Sequence, residues 1–379
     1  MKINIFGDFV PIERGVAAVS NGTAIDQSII SIIRDGDYSI INLECPVVTN
    51  DSAKGIIKNG PCLKTGEDSA RYLKYCGFDM VTLANNHLKD FGEEGIRDTF
   101  KACEKYGLAW VGASMNLNEA RTPKVIEKNG IKIGIINICE NESSIATDKE
   151  PGANPTDEIN NYYDICQLKQ EVDKIIVIIH GGSEHYHYPT PRMKKRCHFF
   201  ADLGVSAIVC HHIHCYSGYE VYNGVPIFYS LGNFFFNRKK RSTSYLWTTG
   251  YFVQLIFTVD SNSVDFQIFP YVQCREEAKV VLMDDEQNQF FKKDIAKINK
   301  VIIDDDTLEA NYEEWHKKRK KYYISAVMTW GNSYYKAAYR RGLVPACVSK
   351  KNAMLLLNFI RCESHNDLMK MSLEEIIKK

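Results

Sequence analysis

The chain has 379 residues, 45% hydrophobic and 25% charged, which is the composition of a globular protein with a large core and room for a smaller appended unit. Lys+Arg and Asp+Glu both number 47, so the net charge is zero and a general nucleic-acid or anionic-membrane binder is disfavoured. The longest apolar runs, such as 175–179, are too short to span a bilayer. The N-terminus also lacks a signal peptide's apolar core and small-residue cleavage site. With twelve scattered cysteines and no C-x-x-C pair, a cytoplasmic protein with reduced thiols is expected.

Short apolar strands alternate with amphipathic helices over the first two-thirds. Strands are predicted at 3–6, 38–43, 80–83, 132–138, 175–179, 207–209, 227–229, 252–259 and 264–271. Helices are predicted at 26–34, 68–75, 93–106, 161–171 and 191–203; in the third, Ile96, Phe100 and Cys103 share one face. Such alternation implies an α/β layered fold. From about residue 285 the chain is rich in Lys, Glu, Tyr and Leu and reads as almost wholly helical. A boundary is therefore expected near Glu276, dividing residues 1–275 from a helical extension at 276–379.

The residues that close the strands carry the chemistry. Gly7-Asp8 follows the first strand, Glu44 the second and Asn85-Asn86-His87 the third. His180-Gly181-Gly182 follows the 175–179 run, and His211-His212-Ile213-His214 follows 207–209. Ligands of open α/β sheets bind beyond the carboxyl ends of strands. Any one of these alone has a plainer reading: Gly-Asp and Asn-Asn are common in turns, and a single histidine is more often structural. Together they form an ordered set of oxygen and imidazole donors that suits Mn, Fe, Zn or Mg. His212 and His214 are expected on one face of an extended segment, with His211 facing the other way. Two basic stretches, Lys194–Arg196 and Arg238–Arg241, read by default as a solvated helix face and a surface loop.

The chain resembles the CapA/PgsA poly-γ-glutamate capsule biosynthesis family, which is related to calcineurin-like metallophosphoesterases. The stretches that carry the resemblance are Gly7-Asp8, Asn42-Leu43-Glu44, Ala84-Asn85-Asn86-His87-x-x-Asp90-x-Gly92, His180-Gly181-Gly182-x-Glu184, His211-His212-Ile213-His214 and Tyr229-Ser230-Leu231-Gly232-Asn233-Phe234. They lie within about residues 1–272. The resemblance implies a metallophosphoesterase-like β-sandwich flanked by helices, holding one or two divalent metal ions. By that likeness, Asp8 and His214 would bind one metal, and Glu44 would bridge to a second bound by Asn86, His180 and His212. His87 would protonate the leaving oxygen or steady transition-state charge. Asn85, Glu184, His211 and Asn233 would orient ligands or meet substrate.

Three departures stand out. Position 10 is Val10 where metallophosphoesterases have the histidine of D-x-H, so the first metal should be weaker or absent. Glu44 replaces the usual bridging Asp. Cys210 stands where the family usually has glycine. The implied function is a metal-dependent phosphoesterase linked to capsule or surface-polymer synthesis, acting on a small anionic or polymer-derived substrate. The alternatives are a non-catalytic accessory protein of polymer synthesis and a γ-glutamyl amide hydrolase. The helical extension is expected to cover the sheet, close the cleft or join two copies into a homo-oligomer.

Overall fold

The computed structural model describes the chain except for residues 51, 238–243, 260, 262, 328–332, 345–348 and 378–379. The basic run at 238–241 lies outside the described residues. Two sheets form the centre. In the first, Val280–Leu282, Asp265–Gln273, Thr249–Ile256, Lys2–Val10, Tyr38–Leu43, Met80–Thr82 and Ala109–Val111 lie side by side in that order, and Asn233–Phe236 also pairs with Lys2–Val10. The second runs Tyr219–Tyr222, Val225–Phe228, Ala207–His211, Lys174–His180, Ile131–Cys139 and Lys124–Lys128. This is the expected α/β sandwich flanked by helices.

Side-chain alternation builds the layers. Ile3, Ile5, Ile40 and Met80 face the second sheet and pack with Ile176 and Ile178. Phe6, Ile41 and Val81 face outward, beneath Ile29 and Ile33 of helix Gln27–Asp35 and Leu73 of helix Asp68–Cys76. Lys174–His180 and Ala207–His211 are buried along their whole length, as parallel strands covered on both faces must be. The edge strands Ala109–Val111, Lys124–Lys128 and Tyr219–Tyr222 are short or largely polar, so they carried little periodic signal.

Gly7 permits a close approach that shapes the site. A Cβ there would lie 2.0 Å from the Gly232 carbonyl oxygen, so only glycine lets the segment beginning at Gly232 lie beside the first strand. Asp8 N–H donates to that same oxygen at 3.3 Å.

Val280–Leu282, beyond residue 275, is still a sheet strand, and the extension begins as helix Asp285–Ile303 behind a capping box of Asp284 and Gln287. Its Phe291, Ile295, Ile298 and Ile302 belong to the main core. The helices Asp305–Val327, Ser333–Arg340, Lys350–Arg361 and Glu363–Ile377 follow. The expected solvated face at Lys194–Arg196 is corrected. Lys194 is buried and its ammonium donates to Ile302 O and Asp305 Oδ1, while Arg196 is buried and pairs with Glu158. Only Lys195 of the three is exposed. Among the described residues no helix is long and apolar enough to cross a membrane, and the eleven described cysteines are free thiols.

Candidate metal centre

Both sheets turn strand carboxyl ends toward one cleft. Asp8 lies near the end of Lys2–Val10, Glu44 directly follows Tyr38–Leu43, and Asn85, Asn86 and His87 follow Met80–Thr82. His180 ends one strand of the second sheet, and His212 and His214 follow another. The ligand atoms of Glu44, His180 and His212 lie within 4.8 Å of one another, as do those of Asp8, Glu44 and His214. Glu44 is common to both groups. His180 Nε2 sits 3.1 Å from Asn86 Oδ1, 3.1 Å from His212 Nδ1 and 3.4 Å from Glu44 Oε1, so Asn86 adds an oxygen to the first trio. His214 Nδ1 is 3.8 Å from Asp8 Oδ2, and its Nε2 is 3.9 Å from Glu44 Oε1.

These residues suit a divalent cation. Glu44 is fully buried, yet neither carboxylate oxygen has a hydrogen-bond partner. Burial, reinforced by the Asp8 and Glu184 charges, pushes its carboxyl well above the usual range. Burial likewise raises Asp8 to about 7, against the pull of hydrogen bonds from Asn42 and the His212 N–H. Two dry carboxylates side by side are costly without a counter-charge. Burial also lowers the imidazoles: His212 to about 4, His214 to about 3 and His180 well below its ordinary value. Neutral imidazole is the form that ligates a metal. The side-chain donors of the Asp8 group number three; Val10, where a fourth is expected from D-x-H, is wholly buried in the apolar core.

The backbone at the histidine cluster departs from expectation. His212 and His214 were expected to alternate along an extended strand, but the strand ends at His211. His212 has φ +97° and His214 φ +59°. Side chains other than glycine rarely adopt such φ, and these residues hold it at the point where both rings turn into the cleft. His211 is buried and lies outside both donor groups.

Other side chains brace the donors. Asn233 Nδ2 donates to the His214 and Trp247 carbonyls, which turns its Oδ1 toward His214 Nδ1 at 3.0 Å. His214 Nδ1–H therefore donates there, leaving the Nε2 lone pair toward Glu44. Asn85 Nδ2 donates to Leu43 O, and its Oδ1 accepts from His87 N–H, which pins the third strand's end to the second's. Glu184 is exposed to solvent at the cleft mouth.

Three residues beyond the expected set belong to the centre. Asn42 Nδ2 donates to Asp8 Oδ1 at 2.7 Å and lies 3.2 Å from His180 Nδ1, while Asn42 Oδ1 accepts from Thr82. Asp90 Oδ2 lies 2.6 Å from His87 Nδ1, and Lys58 forms an ion pair with Asp90 Oδ1 and lies 3.2 Å from the same His87 nitrogen. Asn42 was visible as a lone amide in an apolar strand, and Asp90 as an acid three residues after a histidine. Lys58 stands in an irregular stretch with no pattern to mark it.

The family model described as "Bacterial capsule synthesis protein PGA_cap" matches residues 2–238. The chain belongs to this family. Similar PGA_cap relatives include the PGA biosynthesis protein CapA of Bacillus subtilis, 31% identical over 76% of this chain and 72% of that protein. The capsule biosynthesis protein CapA of Bacillus anthracis is 32% identical over 54% of this chain and 52% of its own. A probable polyglutamine synthesis accessory protein of Mycobacterium tuberculosis is 26% identical over 52% and 55%. The chain thus spans only about half the length of the latter two. Among solved structures, a putative 5'-nucleotidase from Staphylococcus aureus aligns at TM-score 0.45 and 14% identity over 78% of this chain and 58% of that one. The 5'-nucleotidase of Candida albicans aligns at TM-score 0.42 and 12% identity over 84% and 58%.

Proposed function

We propose that the protein is a metal-dependent phosphoesterase serving capsule or poly-γ-glutamate synthesis. One observation carries the reading: Glu44 is shared by two donor groups, and a His87–Asp90 pair stands next to them in the chain. Glu44, His180, His212 and Asn86 would hold one ion, and Asp8, Glu44 and His214 a second. Divalent ions held there would supply Lewis-acid polarisation of a phosphoryl oxygen and acidify a water toward neutral pH.

The chain's own groups do the rest. Asp90 accepts from His87 Nδ1–H, which sets the ring's orientation and favours its protonated form, so that Nε2–H is the proton available to the leaving oxygen. Lys58 offsets the Asp90 charge within that pair. The closure of the cleft around buried Asp8, Glu44 and His180 excludes bulk water and strengthens every charge interaction inside it.

The test uses full-length protein loaded with Mn, Zn, Mg or Fe, assayed against phosphomonoesters, phosphodiesters and poly-γ-glutamate. Release of phosphate from an ester, lost on metal removal, is the expected result. Failure on every ester overturns the reading, and cleavage of polyglutamate alone would assign amide hydrolysis instead. A non-catalytic accessory role has one observation in its favour, the three-donor group left by Val10. Full complementation of a capsule-deficient strain by His87→Ala would establish it.

A further inference from the structure

Backbone bonds lay the segment after His180 along the histidine cluster. Gly181 N–H donates to His211 O at 3.2 Å, and His185 N–H donates to Ile213 O at 2.9 Å. Gly182, at φ +118°, makes the close pass between them: a Cβ there would lie 2.8 Å from Ile213 Cγ2. His185 itself holds φ +63°. Three histidines of the cleft, His185, His212 and His214, thus share a backbone region that residues other than glycine rarely occupy. Strain of this kind persists where the surrounding structure enforces it, and it gathers at ligand sites.

This backbone presents an imidazole beside the poorer metal group. His185 is exposed, and its ring lies 6.1 Å from that of His214. The rings of His180 and His212, which share the other donor group, are 4.8 Å apart. The His185 ring also lies 6.0 Å from Trp247, which packs at 5.0 Å on Phe236. Phe236 is the register partner of Val10. His185 therefore stands on the flank where the group of Asp8, Glu44 and His214 lacks the imidazole that Val10 replaces. It is outside that group in this structure, so joining it takes a turn of the solvent-facing side chain on its fixed backbone.

We propose that His185 is a ligand of the second metal ion, turning onto it as the ion binds and supplying the imidazole that Val10 cannot. The inference rests on the two-ion reading of the centre and adds a donor that the strand ends do not provide. Imidazole is the commonest protein ligand of metals, and a fourth side chain brings this group level with its neighbour. A donor that must turn inward on binding keeps this ion the more labile of the two.

The test titrates full-length, metal-free protein with Mn by calorimetry. Modification of His185 by diethyl pyrocarbonate is read by mass spectrometry with zero, one and two ions bound. Wild type is expected to take two ions, the second more weakly, and only the second should protect His185. His185→Gly suits φ +63°, so the metal-free melting temperature should hold while the second ion weakens at least about tenfold and the first is unchanged. An unchanged second affinity in this variant overturns the proposal, as does undiminished modification of His185 with both ions bound. Equal weakening of both ions with a lowered melting temperature assigns a structural role and also overturns it. A wild type that never takes a second ion refutes the two-ion reading, and the proposal falls with it. None of these readouts depends on hydrolysis, so a protein that cleaves no ester sinks the phosphoesterase reading and leaves the His185 result standing.

Discussion

Asn42 donates its amide hydrogen to Asp8 at 2.7 Å, across two neighbouring strands of the first sheet. The same nitrogen lies 3.2 Å from His180 Nδ1, on the opposite sheet. A single buried amide therefore orients Asp8 while lying against the His180 ring. Removing such a bracing partner commonly costs about 10- to 100-fold in metal affinity. Asn42→Ala is expected to weaken Mn binding by that factor, as read by titration calorimetry, with the circular dichroism spectrum unchanged. Wild-type affinity in the variant would refute the role.

The two donor groups are unequal. Glu44, His180, His212 and Asn86 offer four side chains, whereas Asp8, Glu44 and His214 offer three, because Val10 is packed in the core. After dialysis against metal-free buffer, elemental analysis should find about one ion per chain, held by the larger group, and saturation with excess Mn should raise this to two. His212→Ala should abolish the retained ion, and His214→Ala only the second. Two ions surviving dialysis would contradict this order.

Asp8 sets a pH dependence. Its carboxyl lies near 7 in the folded, metal-free protein, against an ordinary value of 3.8. A raised folded value means that the protonated form stabilises the fold. That contribution is complete below about pH 3.8 and is lost as pH rises through about 7. Glu44, also raised well above its ordinary value by burial, adds the same trend. Metal-free protein should therefore lose melting temperature between pH 5 and 8, whereas Mn binding, which needs both carboxylates ionised, should tighten over the same range. The stabilisation by Mn should be larger at pH 8 than at pH 5.5 in scanning calorimetry; the reverse order would exclude Asp8 as a ligand.

His87 and Asp90 act as a pair at 2.6 Å. A general acid or base of this kind contributes about 10²- to 10⁴-fold in rate. His87→Ala should lose that much phosphoesterase turnover while keeping its metal, since the ring is outside both donor groups. Asp90→Asn should lose less, because the ring remains but its orientation and tautomer are no longer held. Full activity of His87→Ala with metal bound would remove it from the mechanism.

The order of donors along the chain, from Asp8 and Glu44 through Asn86 and His180 to His212 and His214, could be read directly from the sequence. Each lies near the end of an apolar strand, and strand periodicity is a local property that neighbouring residues determine. The sandwich of alternating strands and helices was legible for the same reason, and short edge strands such as Ala109–Val111 escaped because too few residues carry the period. Tertiary structure alone decided what lies far apart in sequence. It set Asn42 beside His180, 138 positions away, and Ser364 on Glu140, 224 positions away. It also drove His212 and His214 into positive φ and seated Lys58 on Asp90. These arrangements depend on which surfaces the two sheets and the helical extension bury against one another, and local pattern does not encode that choice.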